Sequence, residues 1–358
     1  MTIPLFKVFM ADNAPDKVSA VLRSGYIGQG ERVEEFEAAL ASRTETKNIL
    51  TTNSGTAALE LALACIGVGP GDEVISTPMT CSASNHVINN SGARIVWADI
   101  DPISGLISPE AVTQAITDRT KAVVAVDWAG ERVDFRLGLL RRELPILVDS
   151  AHRAPSRDDR YRPDDNVYIA YSFQAIKFLT TGDGGCLVVP EKQYAKCKLM
   201  RWFGLDRESG TDHRCSQSIS VKGHKWHMTD IDAAIGLANL KGLSDRVARH
   251  QMVAFLYKGQ GLNVTGSGES HHWVAFLHVN ARPNFQKYMA EQNIATSLVH
   301  SRNDLHPVFR SATIPLTGVD AFDRTYCAIP CGWWLTDAEV EHIAQSVLAW
   351  EAQHGRPA

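Results

Sequence analysis

The sequence lacks the features of a disulfide-stabilised, metal-binding or membrane-spanning protein. Seven cysteines in 358 residues form an odd and scattered set, which argues against a disulfide framework. Cys327 and Cys331 are the only close pair, and because no second pair completes a zinc site, we expect buried free thiols there. The thirteen histidines show no metal-ligand spacing, so no metal is predicted. No apolar run reaches membrane-spanning length, because residues such as Glu60 interrupt the longest ones.

A large excess of charge of one sign is also missing. The formal net charge is -4 and the pI is near 6.4, so no nucleic-acid partner is expected. The opening MTIPLFKVFMADNAP lacks the basic start and long apolar region of a signal peptide. We expect a cytoplasmic protein with no membrane partner.

Short apolar strands alternate with helices in the first half of the chain. Near-continuous apolar strands of this kind predict an α/β fold with a mostly parallel sheet covered on both faces. The predicted strands span residues 48–52, 73–77, 94–100, 121–126, 145–149, 167–172 and 186–189, and the predicted helices between them include 57–66 and 82–90.

The pattern changes after about residue 242. A long helix is predicted from Leu243 towards Tyr257, and Thr336 with Glu339 is typical of a capping box that opens a final helix. We therefore expect a large α/β domain over residues 1–242, including an N-terminal segment, and a small C-terminal α+β domain over residues 243–358.

Two short motifs stand where predicted strands end. NSGTAAL, residues 53–59, joins a strand to a helix, and its small residues let backbone N–H groups approach an anion at a helix N-terminus. Many such turns are rich in serine and glycine for geometric reasons alone. In ILVDSAHRA, Asp149 ends an apolar strand, where ligands bind in open α/β sheets, although an aspartate there can also simply cap the next helix.

A single lysine stands in the stretch SFQAIKFLTTGDGG, residues 172–185. A partly desolvated lysine loses its proton more easily and becomes a nucleophilic amine that can condense with an aldehyde. Most lysines are instead solvated surface residues. The apolar strand and Ser172 before Lys177, and the glycine-rich turn after it, favour a site. A fourth motif, GHKWHMTDIDAAIGLANL, predicts a turn followed by a helix.

These four motifs in this order resemble the DegT/DnrJ/EryC1/StrS family of pyridoxal-phosphate aminotransferases. The resemblance begins at SGYIGQGERVEEFEAAL and covers nearly the whole chain, with residues 172–185 as its most specific part. It implies the type I fold of pyridoxal-phosphate enzymes, which is the fold of aspartate aminotransferase.

The resemblance also implies roles for individual residues. Lys177 carries pyridoxal 5'-phosphate as an internal aldimine and moves the proton, Asp149 pairs with the pyridine nitrogen, and His152 lies near the phenolic oxygen. Gly55, Thr56 and Ser172 match positions that hold the phosphate, and Ser54 beside them is a further cofactor-binding residue.

The implied reaction moves an amino group from L-glutamate, which leaves as 2-oxoglutarate, to a nucleotide-linked keto sugar through a pyridoxamine 5'-phosphate intermediate. Members are usually homodimers with shared sites, and most have asparagine at the position of Lys225, where it reaches the partner's phosphate. Two further departures are Cys81, in place of an aromatic residue beside the cofactor ring, and His227, in place of an arginine.

The segment HSRNDLHPVF, residues 300–309, lies where the family places substrate-facing residues. Arg302 and His306 are therefore substrate candidates. For Arg302, an ordinary surface ion pair is an equally good interpretation.

Four other functions are alternatives to a nucleotide-sugar aminotransferase. A dehydratase of the same family is disfavoured by Lys177, since known members have histidine there. A non-nucleotide cyclic ketone remains an alternative acceptor. A non-catalytic regulatory homologue is disfavoured because Lys177, Asp149 and His152 are all present. A nicotinamide-dependent enzyme is disfavoured by the lack of a Gly-x-Gly-x-x-Gly turn between an early strand and helix.

Overall fold

The computed structural model describes residues 2–133, 144–157, 166–208, 215–309 and 314–357. Its strands are β1 Ile49–Thr52, β2 Glu73–Ser76, β3 Arg94–Trp97, β4 Thr120–Val126, β5 Ile146–Asp149, β6 Val167–Ser172, β7 Gly185–Val188, β8 Ala275–His278 and β9 Tyr326–Ile329. Its helices are α1 Ala14–Ser24, α2 Glu31–Thr44, α3 Gly55–Ile66, α4 Ser82–Asn90, α5 Pro109–Ala115, α6 Glu191–Met200, α7 Asp230–Asn239, α8 Leu243–Gly259, α9 Arg282–Glu291, α10 Thr317–Thr325 and α11 Asp337–His354.

Seven strands form one mostly parallel sheet. Their order is β1-β7-β6-β5-β4-β2-β3, and only β7 runs against its neighbours β1 and β6. Six of the seven strands are buried along their whole length or nearly so, because helices cover both faces of the sheet; the exception is the edge strand β3. The predicted α/β class with a mostly parallel sheet is confirmed.

Local signals set several helix boundaries as predicted. Thr336 and Glu339 form the expected capping box at the start of α11. A second capping box, between Thr229 and Asp232, opens α7 directly after the GHKWH segment. Helix α3 begins after Ser54, whose hydroxyl accepts from the Ala57 N–H, and ends at Gly67 in the left-handed conformation.

The buried apolar side chains form two clusters. The larger covers the seven-stranded sheet and extends into later segments such as Trp273 and Phe322. The smaller packs α8, α9 and α11 against the two-stranded sheet β8-β9, and it includes Ile3 from the N-terminal segment. Ile3 joins this cluster through backbone hydrogen bonds with Asn293 and Ala295. The domain boundary near residue 242 stays a prediction.

The structure can be compared with the sequence expectations on disulfides, membrane spans and metal sites. All seven cysteines are free thiols, and Cys327 and Cys331 are buried, as expected. None of the helices that the structure describes combines the length and apolarity needed to cross a bilayer. Among the same described residues, no cluster of histidine, cysteine and carboxylate side chains has the arrangement of a metal site.

Glu73 is a buried carboxylate at the N-terminal end of strand β2. Glu73 at the start of β2 is 1% exposed and accepts hydrogen bonds from Arg94 at 2.5 Å and from Thr117 at 2.7 Å. Arg119 pairs with the same carboxylate at 2.6 Å. These hydrogen bonds and charges, that from Arg94 first, lower the pKa of Glu73 to about 2.

Glu73→Gln should therefore destabilise the fold by roughly 1–3 kcal/mol at neutral pH, because the buried group loses charge-assisted hydrogen bonds. A carboxyl with a lowered folded-state pKa stabilises above its ordinary value near 4.5, and this contribution fades as pH falls towards 2. Denaturant unfolding of both proteins should thus show a stability gap at pH 7 that narrows below pH 4.5. Exposed Glu291→Gln is the control, and an equal stability of Glu73→Gln and wild type at pH 7 would contradict this assignment.

Candidate active site

One cavity gathers most of the residues singled out in the sequence. Strands β5 and β6 end at Asp149 and Ser172, and the turn after β1 leads into α3, so these side chains meet at one end of the sheet. The cavity has a volume of about 400 Å³. Eight of the nine predicted cofactor-binding residues line it: Ser54, Gly55, Thr56, Cys81, Asp149, His152, Ser172 and Lys177.

Asp149 is a buried carboxylate held by neutral donors. Its two oxygens accept hydrogen bonds from the Ser84 hydroxyl at 2.6 Å and from the Ala151 N–H at 3.0 Å. Burial raises the pKa of Asp149, and these hydrogen bonds and the charge of Lys177 offset part of that rise. Within the described part of the chain, no lysine or arginine forms an ion pair with it. A buried carboxylate without a cationic partner is costly, so the site suits a ligand that brings a cation.

His152 is held as a neutral imidazole. Its Nδ1 accepts from the Ala129 N–H at 3.2 Å, which leaves the proton on Nε2. Burial, followed by the charges of Lys177 and His300, lowers its pKa well below the ordinary value. The ring stacks on Trp273 with centroids 4.0 Å apart.

The buried Lys177 side chain loses its proton more easily than an ordinary lysine. Burial lowers its pKa to about 8, although the nearby Asp149 and Cys81 act in the opposite direction. Its Nζ lies 3.8 Å from the centroid of the Trp273 ring. The backbone N–H of Lys177 donates to the Gln174 carbonyl at 2.9 Å, which fixes the turn that follows β6.

The start of α3 forms an anion cradle beside Ser172. The first N–H groups of a helix have no acceptor inside it, and the helix dipole favours negative charge there. Gly55 lies so close to β6 that a Cβ atom on it would stand 2.9 Å from the Ser172 Cβ. A Cβ on Gly185, in β7, would in turn stand 2.7 Å from the Gly55 nitrogen. Both glycines let the helix N-terminus and the Ser172 hydroxyl approach one ligand.

Cys81 and Lys225 depart from the expected pattern in different ways. Cys81 is partly buried, precedes α4 and lines the cavity, and burial raises the pKa of its thiol. Lys225 is exposed and does not line this cavity. It lies with His227 on a second cavity of about 770 Å³. Asn53, next to the turn at Ser54, is hydrogen-bonded to the Lys225 segment: its N–H donates to the Trp226 carbonyl and its side chain donates to the Lys225 carbonyl.

The two substrate candidates in residues 300–309 lie outside the cavity lining. The Arg302 guanidinium donates to Asp304 at 2.7 and 2.9 Å and to Asp320 at 2.5 Å. These contacts correspond to the surface ion pair that the sequence offered as the other interpretation of Arg302. His306 is exposed and packs edge-on against Phe309. A substrate role for Arg302 and His306 stays a prediction.

Known proteins are similar to this chain over almost its whole length. Residues 10–348 match the DegT/DnrJ/EryC1/StrS aminotransferase family. The chain belongs to this family.

Individual relatives are similar over the same length. Spore coat polysaccharide biosynthesis protein SpsC of Bacillus subtilis is 30% identical, and the alignment covers 92% of both proteins. The crystal structure of AtS13 from Actinomadura melliaura is 34% identical with a TM-score of 0.90, covering 97% of this chain and 98% of AtS13. The sugar aminotransferase CalS13 from Micromonospora echinospora is 32% identical with a TM-score of 0.89, covering 97% and 99%.

Membership in the family confirms the predicted type of enzyme. The protein is a pyridoxal-phosphate-dependent aminotransferase with the expected fold. The cradle at Gly55 fits the phosphate of that cofactor, and the Asp149 carboxylate, which forms no ion pair among the described residues, fits its ring nitrogen. The roles of the individual residues stay predictions.

Trp273 and Ser84 contact the predicted site residues, but no motif in the sequence singled them out. Trp273 lines the cavity beneath the Lys177 amine and donates its indole N–H to the Ile176 carbonyl at 3.1 Å. Ser84 donates to Asp149 from outside the cavity lining. Each lies far along the chain from the group that it contacts. His300, the first residue of the segment 300–309, lines the cavity.

Replacement of Gly55 tests the anion cradle. In Gly55→Ala the new methyl group must separate α3 from Ser172, so we expect affinity for pyridoxal phosphate to fall roughly tenfold or more, with a loss of about 1–3 kcal/mol in stability. Titration of cofactor-free protein, followed by absorbance, measures the affinity. The control is Gly69→Ala, where a Cβ meets nothing within 4 Å. Equal affinity in Gly55→Ala and Gly69→Ala would refute the cradle.

Proposed function

We propose that the protein transfers an amino group from L-glutamate to a nucleotide-linked keto sugar, with the pyridoxamine form of the cofactor as the intermediate between two half-reactions. The observation that carries this proposal is that one cavity holds both a lysine with a lowered pKa and a buried carboxylate that has no ion-pair partner within the described part of the chain. The two relatives described as a sugar aminotransferase and a polysaccharide biosynthesis protein support a sugar as acceptor.

Each cavity residue has a task in this proposal. When bound, the cofactor withdraws electrons from the carbon that carries the amino group. Asp149 keeps a ring nitrogen protonated by remaining ionised next to it. The α3 N-terminus at Ser54, Gly55 and Thr56, with the Ser172 hydroxyl, binds the phosphate. His152, with its proton on Nε2, donates to an oxygen on the ring edge.

Lys177 is the proposed proton carrier. A pKa near 8 leaves a substantial neutral fraction of its amine at physiological pH, which a general base requires, and the protonated form can return the proton. Lys177→Ala should therefore bind cofactor but complete no catalytic cycle. Turnover of Lys177→Ala at the wild-type rate would eliminate this assignment.

The second cavity supports a nucleotide carrier. Arg207, Lys225 and His227 bring positive or polar groups to a wall that also holds Tyr26 and Trp202. Cationic side chains bind phosphate oxygens and aromatic rings stack on a base, so this lining fits a nucleoside diphosphate.

The same region supports a homodimer with shared sites. Tyr26, Ile27 and Phe203 line the second cavity. Tyr26 is 83% exposed, and Ile27, Phe203 and also Ile219 are apolar side chains that are each more than two-fifths exposed. Exposed apolar groups around a cavity are typical of a protein–protein interface. Lys225 would then contact a phosphate bound to the partner subunit, as a point charge in place of an asparagine amide.

Ile27→Asp should weaken this dimer, because a carboxylate would be buried at the interface without a partner. We expect sedimentation equilibrium to show a dimer for wild type and at least a tenfold weaker association for Ile27→Asp. Met252→Asp introduces the same charge at a similarly exposed apolar position on α8 and should leave the dimer intact. A wild-type monomer, or equal effects of the two variants, would contradict the proposed interface.

The biological setting that we propose is cytoplasmic biosynthesis of an amino sugar. Such a sugar enters a polysaccharide, including lipopolysaccharide O-antigen, or a glycosylated metabolite. The description of SpsC as a polysaccharide biosynthesis protein supports the first of these.

The acceptor can be identified by following the two half-reactions in turn. Purified protein is converted to its pyridoxamine form with glutamate and then mixed with nucleotide-linked 3-keto and 4-keto sugars. We expect at least one of them to restore the yellow pyridoxal form, and the same sugar without its nucleotide to do so much more slowly. Restoration only by a non-nucleotide cyclic ketone would transfer the proposal to that substrate class. Loss of a sugar hydroxyl without amine transfer would indicate a dehydratase.

A further inference from the structure

The indole ring of Trp273 lies against two of the proposed catalytic side chains at once. The Lys177 Nζ is 3.8 Å from the centroid of this ring. The His152 ring stacks on it with an interplanar angle of 17° and centroids 4.0 Å apart. Trp273 lines the first cavity but is only 2% exposed, and Phe6 from the N-terminal segment stacks on it at 4.7 Å. One closely packed ring therefore holds the lysine amine and the imidazole in a common arrangement.

The backbone connects the same three residues. The indole N–H donates to the carbonyl of Ile176, directly before Lys177, at 3.1 Å. The backbone N–H of Trp273 donates to the Ala129 carbonyl at 2.9 Å, and the Ala129 N–H donates in turn to the His152 Nδ1 at 3.2 Å. Ala129 has a φ of 55°, in the left-handed region that is unfavourable outside glycine. Strain of this kind persists where the surrounding structure fixes it, and it is concentrated at functional sites.

The aromatic face favours the charged form of the lysine. A cation over the face of a tryptophan is attracted by the ring quadrupole, most strongly where water is excluded. Within the described part of the chain, no carbonyl or carboxylate accepts a hydrogen bond from the Lys177 Nζ. Burial acts in the opposite sense, because it favours the neutral amine and lowers the pKa of Lys177. The balance between the two forms of Lys177 therefore depends on the Trp273 ring.

Other titratable side chains line the cavity around the same amine. They are Asp149 at the end of β5, Cys81 before α4, His152 after β5, Asp183 before β7 and His300 in the C-terminal half. Asp149 and Cys81 raise the pKa of Lys177, whose charge lowers the pKa values of the two histidines. A change at position 273 that keeps the shape of the ring leaves all these groups in place, so the effect of the ring can be measured alone.

We propose that Trp273 is a positioning residue that holds the free Lys177 amine in its ammonium form against the ring face, beside His152, when the lysine is not bonded to the cofactor. This inference rests on the proposed function, because it concerns the side chain proposed as the proton carrier. A general acid must keep its proton until the substrate takes it, and burial alone would favour its loss. The ring offsets part of that effect, so Lys177 can act as an acid as well as a base.

Fluorinated tryptophans at position 273 change the electrons of the ring with little change in its shape. Fluorine withdraws electron density from the ring face and so weakens its attraction for a cation. In the cofactor-free, full-length protein, acetylation of Lys177 by acetic anhydride is measured against pH by mass spectrometry, because only the neutral amine reacts. We expect the pKa of Lys177 to fall stepwise with added fluorine, and to fall by roughly 0.4–1.5 in Trp273→Leu, which has no aromatic face. Trp273→Phe, whose face attracts a cation less strongly, should give an intermediate value.

Trp350 is the matched control, because it is buried in the C-terminal cluster and lies outside the cavity lining. The same fluorinated residues at position 350 should leave the pKa of Lys177 unchanged. If Trp273→Leu does not fold, the fluorinated series and Trp273→Phe still decide the question. An equal pKa of Lys177 with tryptophan and with its most fluorinated analogue at position 273 would overturn the proposal, since a ring that only packs gives that result. A pyridoxal-phosphate label on a different lysine would instead refute the proposed function, and the Trp273 inference with it.

Discussion

The site depends on a lysine amine and an aspartate carboxylate that share one cavity without forming an ion pair. Burial acts on the two groups in opposite directions, raising the pKa of Asp149 and lowering that of Lys177. A direct ion pair would fix both charges and leave neither group free for a ligand. Ser84 and the Ala151 N–H instead hold the carboxylate with neutral donors, while the amine rests on the face of Trp273. Both groups therefore remain available to a cofactor.

The sheet explains how these groups come together. Parallel strands end at the same edge, so Asp149 after β5 and the turn after β6 deliver an acid and an amine side by side. The antiparallel β7 then lets Gly185 contact Gly55 and brings the α3 N-terminus against Ser172. The cradle at the start of α3 and the shared cavity of Asp149 and Lys177 are thus consequences of one strand order. Segments from the C-terminal half, including Trp273 and His300, close the remaining side.

The sequence was most informative where function lies in local motifs. The strand end at Asp149, the turn from Ser54 to Thr56 and the stretch around Lys177 could be predicted, since each motif lies within about ten residues. Ser84 and Trp273 could not, because their contacts with Asp149 and Lys177 connect residues that are 65 and 96 positions apart in the chain. Lys225 is a different case. If it binds a phosphate held by a partner subunit, the structure of a single chain does not contain that contact. Ile3, which packs with the C-terminal cluster, is another contact between distant parts of the chain that no local motif indicates.

The central claim is that Lys177, and no other amine of the chain, condenses with the cofactor. Protein incubated with pyridoxal phosphate can be reduced with borohydride, which fixes a pyridoxyl group to whichever amine has reacted, and then digested and mapped by mass spectrometry. We predict one label per chain, on Lys177, and no label in that peptide for Lys177→Ala. A label on a different lysine, or no stable label at all, would contradict the assignment of the active site.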